Sequence, residues 1–107
     1  MKTPIFILVF LSCFTLVQSQ TKAIDSLNLV LHHSKNDIEK AQLFNAIANE
    51  YKYTDPTKMI QFANKALQIA HKIQYTIEVG NAELNLGNAN IILGNYPQAL
   101  QNFASAQ

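Results

Sequence analysis

Three stretches carry residue types that could do chemistry: His32-His33, the pair Asp25-Ser26, and the glycine-bearing run NLGNANIILGNYPQAL at residues 85–100. Adjacent side chains on a helix point about 100° apart, so His32 and His33 are badly placed to chelate one ion. His71 stands far along the chain, and the single cysteine, Cys13, lies inside an apolar run. No metal site is expected. A nucleophile would need a serine or threonine beside a histidine and an orienting carboxylate. Asp25-Ser26 with His32 or His33 is the one such grouping, yet Ser26 to His33 spans about 10 Å of helical rise, beyond hydrogen-bond reach. Neither a catalytic residue nor a cofactor is assigned. Asp37, Glu39, Glu78 and Glu83 read as helix-start or solvated-face charges, none beside a second acid in apolar surroundings that would raise its pKa. Gly87 and Gly94 would suit a phosphate-cradling loop only after a strand, so their meaning depends on the elements around them.

The opening residues differ from the rest. Lys2, the uncharged run at residues 5–17 (IFILVFLSCFTLV) and the polar VQSQ form a secretory signal pattern, too short to span a bilayer comfortably. Val17 and Ser19 satisfy the small-residue rule, which puts cleavage after Ser19: residues 1–19 are signal and residues 20–107 one folded domain. Two alternatives are an uncleaved anchor and a lipid-bearing Cys13 in Phe10-Leu11-Ser12-Cys13. Against the second, the apolar run continues past Cys13 and Phe10 stands where leucine is usual. The pattern implies export through the Sec pathway to a periplasmic or extracytoplasmic location. All 8 basic residues are lysines and Lys2 leaves with the signal, so the remainder balances the 7 acidic residues with no basic patch for nucleic acid. Without Cys13 no disulfide can form, and stability must come from packing.

Beyond the signal, apolar residues recur at helical spacing and no alternating run bounded by turn residues suggests a strand. The domain reads as all-α. A leading helix over residues 23–34 carries Ile24, Leu27 and Leu31, with Val30 beside them; Asp37 is the expected N-cap of the next. That second helix, 38–53, places Ala41, Phe44, Ile47, Ala48 and Tyr51 on one face. Asp55-Pro56 then starts a helix over 56–73, because Asp55 can accept from free N–H groups and Pro56 loses no hydrogen bond at the first helical position. Its buried side is Met59, Ala63, Ala66, Ala70 and Ile73, joined by Ile60 and Leu67. A fourth helix, 75–93, presents Val79, Ala82, Leu86, Ala89 and Leu93, and Gly94 is a natural left-handed residue after it. Pro97 restarts a helix through Ala99, Leu100, Phe103 and Ala106.

The segments map onto themselves: Asp55 meets Asn95, Met59 meets Ala99 and Ala66 meets Ala106 at forty residues, while Ile47 meets Leu86 and Ala48 meets Gly87 at thirty-nine. A helix-turn-helix unit at such a period marks a helical solenoid. Leu86-Gly87, Gly94-Asn95-Tyr96, Ala99-Leu100, Phe103 and Ala106 resemble the tetratricopeptide repeat pattern. The earlier unit, from Gln42 to Gln74, is similar, with Ala48, Tyr51 and Ala66 in place but Met59 where alanine is usual. Glu83 and Asn90 depart from the pattern where a bulky apolar residue and a tyrosine commonly stand. The whole segment also resembles the exported tetratricopeptide region at the head of Bacteroidota sensor histidine kinases and related regulators.

The resemblance implies a short right-handed solenoid of antiparallel helix pairs: the leading helix, repeat one over about 38–73 and repeat two over about 75–107. The last repeat reads as truncated, and the chain as the amino-terminal part of a longer protein. By resemblance, the concave face presents Gln42, Asn45, Asn49, Lys52 and Tyr53 from the earlier unit and Asn81, Leu84, Asn88, Ile91 and Ile92 from the later. Asn45, Asn49 and Asn88 would offer amides to an extended peptide. A lysine-arginine carboxylate clamp, found in some members, is not expected, because Asn45 stands where a lysine is needed and no arginine exists. Ile91 and Ile92 form either an apolar contact patch or the surface covered by a further repeat. Three functions stay open: an exported protein-protein interaction module, non-catalytic in itself; the sensor region of a membrane-tethered kinase or transcriptional regulator; or a self-association scaffold with Ala99, Phe103 and Ala106 at its open end.

Overall fold

The computed structural model describes residues 20–107, all of them in helices or the short turns between. The signal segment, with Cys13, lies outside the described residues. We number the helices α1 (residues 20–33), α2 (Asp37–Glu50), α3 (Pro56–Lys72), α4 (Thr76–Ile92) and α5 (Tyr96–Ser105). From α2 onward each packs on its neighbour in sequence, and α2 also meets α4. That is the arrangement of stacked helical hairpins, α2–α3 and α4–α5, in which the first helices of the two pairs lie side by side. Gln20 ties α1 on: its Nε2 donates to the Glu50 carbonyl and to Thr54 Oγ1, the latter at 2.9 Å. With the short connection at residues 34–36, this makes α1 antiparallel to α2.

Local chemistry sets the boundaries. The N-cap of α2 is Asn36, one residue before the expected Asp37; its Oδ1 accepts from Ile38 N at 2.8 Å and Glu39 N at 3.4 Å. Asp37 instead becomes the first helical residue. Asp55 caps α3 as expected, accepting from Lys58 N at 3.0 Å with Pro56 in the first turn. Helix α2 ends at Glu50 and not Tyr53, because residues 51–54 wind into turns whose N–H groups reach back only three residues, Tyr51 to Ala48 and Lys52 to Asn49.

Helices α3 and α4 end alike. Gln74 N donates to His71 O and Tyr75 N to Ala70 O; twenty residues on, Gly94 N donates to Ile91 O and Asn95 N to Asn90 O. Both are Schellman closures, which need a left-handed residue just past the helix. Gly94 supplies it at φ 79°, and Gln74 adopts it at φ 58° despite its side chain.

The core is made of small residues. Ala48 from α2, Met59 and Ala63 from α3, and Leu86 and Ala89 from α4 form one buried cluster, with Tyr51, Ile60, Phe62 and Leu67 packed against it. Alanines at three- and four-residue spacing let the helix axes approach, and Ile47 and Met59 are the largest fully enclosed side chains. At the edge of α2 and α3, Phe62 stacks between Phe44 and Tyr51 with centroids 6.3 and 5.8 Å away. Lys65 lies 5.0 Å over the Phe62 ring, a cation–π contact on that stack. Three expected core residues are outside it: Val30, Leu93 and Leu100 are exposed. No described helix covers any of the three.

Candidate functional site: an amide-lined groove between α2 and α4

The inner faces of α2 and α4 enclose a groove of about 400 Å³. Gln42, Asn45, Ala46 and Asn49 line it from α2, and Glu78, Asn81, Leu84, Asn85 and Asn88 from α4. Steps of three and four residues put each set on one helix face. Six of the ten expected concave-face residues are therefore brought together: Gln42, Asn45, Asn49, Asn81, Leu84 and Asn88. The other four are elsewhere. Lys52 and Tyr53 sit in the turn after α2, where the Lys52 ammonium lies 5.2 Å over the Tyr53 ring. Ile91 and Ile92 are exposed at the far end of α4, beyond the groove.

Three lining residues are absent from the sequence-based set: Ala46, Glu78 and Asn85. The stripe Glu78, Asn81, Asn85, Asn88 was nonetheless available from spacing alone, since Asn85 falls between the two recognised asparagines at helical steps. Glu78 is also not the solvated charge expected of it. It is 7% exposed. Asn45 explains how the carboxylate is kept there: Asn45 Nδ2 donates to Glu78 Oε2 at 2.8 Å and to the Glu78 carbonyl at 3.1 Å.

Asn45 itself is buried, so it does not present a free amide to a ligand as the spacing suggests. Asn85 Nδ2 donates to Asn45 Oδ1 and to its carbonyl oxygen, both at 3.2 Å. Asn45, Glu78 and Asn85 thus form the groove floor, a hydrogen-bonded triad that locks α2 against α4. Above it, the Gln42 amide donates to the Tyr75 hydroxyl at 3.3 Å. The side chains of Asn49, Asn81 and Asn88 make no hydrogen bond to the described residues. They remain as donors and acceptors at the groove rim.

A second polar triad lies between α4 and α5. Asn90 Nδ2 donates to Asn102 Oδ1 and Asn102 Nδ2 to Glu83 Oε2, both at 2.9 Å, with all three residues buried. Glu83 is therefore an interior group and not a solvated-face charge. Glu83 and Asn90 are also the two departures from the repeat pattern, and they depart together because one asparagine satisfies both. Of the residues expected at an open end, Ala99 is fully buried and Phe103 is packed on α4 at Gly87. The exposed apolar groups there are Tyr96 and Leu100.

Among the described residues, no helix is long and apolar enough to cross a membrane and no three metal-ligating side chains cluster. His32 and His33 hold their rings 5.5 Å apart, edge to face. The chain matches the family described as the SusR N-terminal TPR domain over residues 15–106. It belongs to that family. A tetratricopeptide domain is a helical protein-interaction module, and the stacked hairpins and shared inner groove are its architecture. The match begins inside the apolar run read as signal. No curated protein and no solved structure matches the chain.

Proposed function

We propose that this tetratricopeptide domain is an exported, non-catalytic interaction module with right-handed hairpin stacking, and that it holds an extended segment of a partner protein in the α2–α4 groove. The observation that carries the reading is the set of unpartnered amides, Asn49, Asn81 and Asn88, facing one groove from two successive hairpins. An extended backbone exposes alternating N–H and C=O groups, and a side-chain amide supplies a partner for either. The triad beneath fixes the two helices, so the rim needs little reordering to receive a ligand, which lowers the cost of binding. The signal pattern at residues 1–19 supports export.

Phage-displayed peptides selected on the protein provide the test. Asn49→Ala combined with Asn88→Ala removes rim amides without touching the triad, so helicity should persist while selected clones are lost. Undiminished capture by the double variant would defeat the groove reading. Export is checked separately by the mass of the protein recovered from the cell envelope, which should begin at Gln20.

A second reading is favoured by the family's description as an amino-terminal domain. In it, the module is the sensor region of a membrane-tethered kinase or transcriptional regulator, and groove occupancy is its input. Gene sequence beyond Gln107 decides it. A span of about twenty apolar residues followed by a catalytic or DNA-binding region is the expected result; a stop codon directly after Gln107 excludes it.

A further inference from the structure

We infer that the groove selects its partner by charge, taking a segment that carries a lysine or arginine side chain and placing that cation against Glu78. This deepens the groove reading and rests on it. Of the nine residues lining the groove, Glu78 is the one that ionises; the others are six amides, an alanine and a leucine. Neither a lysine nor a histidine lines it to offset the carboxylate.

The carboxylate is also half used. Oε2 accepts from Asn45 at 2.8 Å, while Oε1 receives no hydrogen bond from the described residues. No buried side-chain oxygen or nitrogen among them lacks a partner, so Oε1 keeps a trace of solvent access, on a residue that lines the groove. A largely desolvated carboxylate with one free oxygen is a strong acceptor for a cationic donor, because the surrounding low dielectric screens the pair poorly. An acidic side chain in the same place would meet like charge with no compensating cation.

The rim completes the recognition. Asn81 precedes Asn85 by one helical turn and is exposed beside Glu78, three residues along α4. Its carbonyl oxygen can take a second proton from an ammonium or guanidinium group, while Leu84 offers apolar surface to the aliphatic stem.

The test uses the full chain, labelled with nitrogen-15, titrated with three blocked pentapeptides: Ala-Ala-X-Ala-Ala with lysine, norleucine or glutamate as X. The lysine peptide should shift the amide signals of Asn81, Leu84, Asn85 and Asn88 and bind about tenfold or more tightly than the glutamate peptide. Glu78→Gln keeps an acceptor for Asn45 and removes the charge, so it should erase the preference for lysine over norleucine. Asn81→Lys leaves the triad intact and places a cation at the rim; it should reverse the order, so that the glutamate peptide binds best. Equal binding of all three peptides in the groove would overturn charge selection and leave the peptide groove standing. A lysine preference that survives Glu78→Gln, with no reversal in Asn81→Lys, would overturn the role of Glu78. If no peptide shifts the groove signals, both readings fall.

Discussion

The Phe103 ring occupies the space where a side chain at Gly87 would begin: a Cβ built there would come within 2.7 Å of Phe103 Cδ1 and 2.8 Å of Cζ. The glycine therefore sets how closely α5 lies on α4. Spacing alone points to Ala99 and Ala106 as the small partners of Gly87, and α5 also turns its aromatic toward the gap. Ala106 meets Gly80, with its carbonyl 3.4 Å from where a Gly80 Cβ would stand.

Two opposed effects of known size make this contact testable. Gly87→Ala gains about 1 kcal/mol of helix propensity, while displacing the ring costs about 1–3 kcal/mol as overpacking does elsewhere. We expect a net loss of about 1 kcal/mol in urea unfolding. In a Phe103→Ala background the same change should become stabilising by about 1 kcal/mol, since only propensity is left. Equal effects in both backgrounds would mean that the ring yields freely. Gly87→Leu has no such escape and should undock α5.

The Glu83–Asn102–Asn90 triad predicts an unusual order of stabilities. Asn102→Ala strips the partner from a buried carboxylate and a buried amide at once, and each orphaned group costs about 1–3 kcal/mol. Replacing all three residues together, Glu83→Leu, Asn90→Tyr and Asn102→Leu, leaves no orphan. Exchange of a buried polar network for apolar side chains is often neutral or better, so the triple variant should unfold at higher denaturant than Asn102→Ala alone. If the single change is the milder one, the triad is not a unit.

Much of the fold was legible because helical periodicity is a property of the chain itself. The repeat offsets, the Asp55-Pro56 start, the Gly94 stop and the alanine faces of α2, α3 and α4 all follow from local chemistry. The groove was legible in part for the same reason: Asn49, Asn81 and Asn88 lie on faces that spacing defines. What spacing cannot give is which partner a polar side chain finds across a helix interface. Glu78 and Glu83 look like surface charges in sequence, yet the amides that satisfy them, Asn45 and Asn102, stand 33 and 19 residues away. Asn45 is lost from the free rim by the same pairing. Lys52 and Tyr53 fall out of the groove because α2 stops a turn earlier than its apolar pattern.

The paired Schellman closures give a comparison within one molecule. Gln74 and Gly94 hold equivalent left-handed positions, and nothing lies within 4 Å of a Cβ built on Gly94. Backbone conformation is then the main difference between the sites. Gln74→Gly should stabilise by about 1 kcal/mol and Gly94→Ala destabilise by about the same amount. For a domain of this size each corresponds to a shift of about 4–8 °C in Tm. A Gln74→Gly variant that melts lower would mean that the glutamine side chain contributes more than its conformation costs.

Asn36 and Asp37 separate capping from mere proximity to a helix start. Asn36 Oδ1 takes the free N–H groups of Ile38 and Glu39, and loss of such a cap costs about 1 kcal/mol. Asp37 follows in the first turn, where a negative charge interacts with the helix dipole for about 0.3–1 kcal/mol in low salt. Its ion pair with Lys72 is 4.0 Å long between exposed side chains, a kind of contact that contributes little. Asn36→Ala should therefore cost more than Asp37→Ala in thermal unfolding. Raising the salt to about 1 M shrinks the screening length to about 3 Å, so it should shrink the Asp37→Ala effect and leave the Asn36→Ala effect largely in place. A larger, salt-insensitive loss at Asp37 would move the cap back to the residue that the sequence pattern first points to.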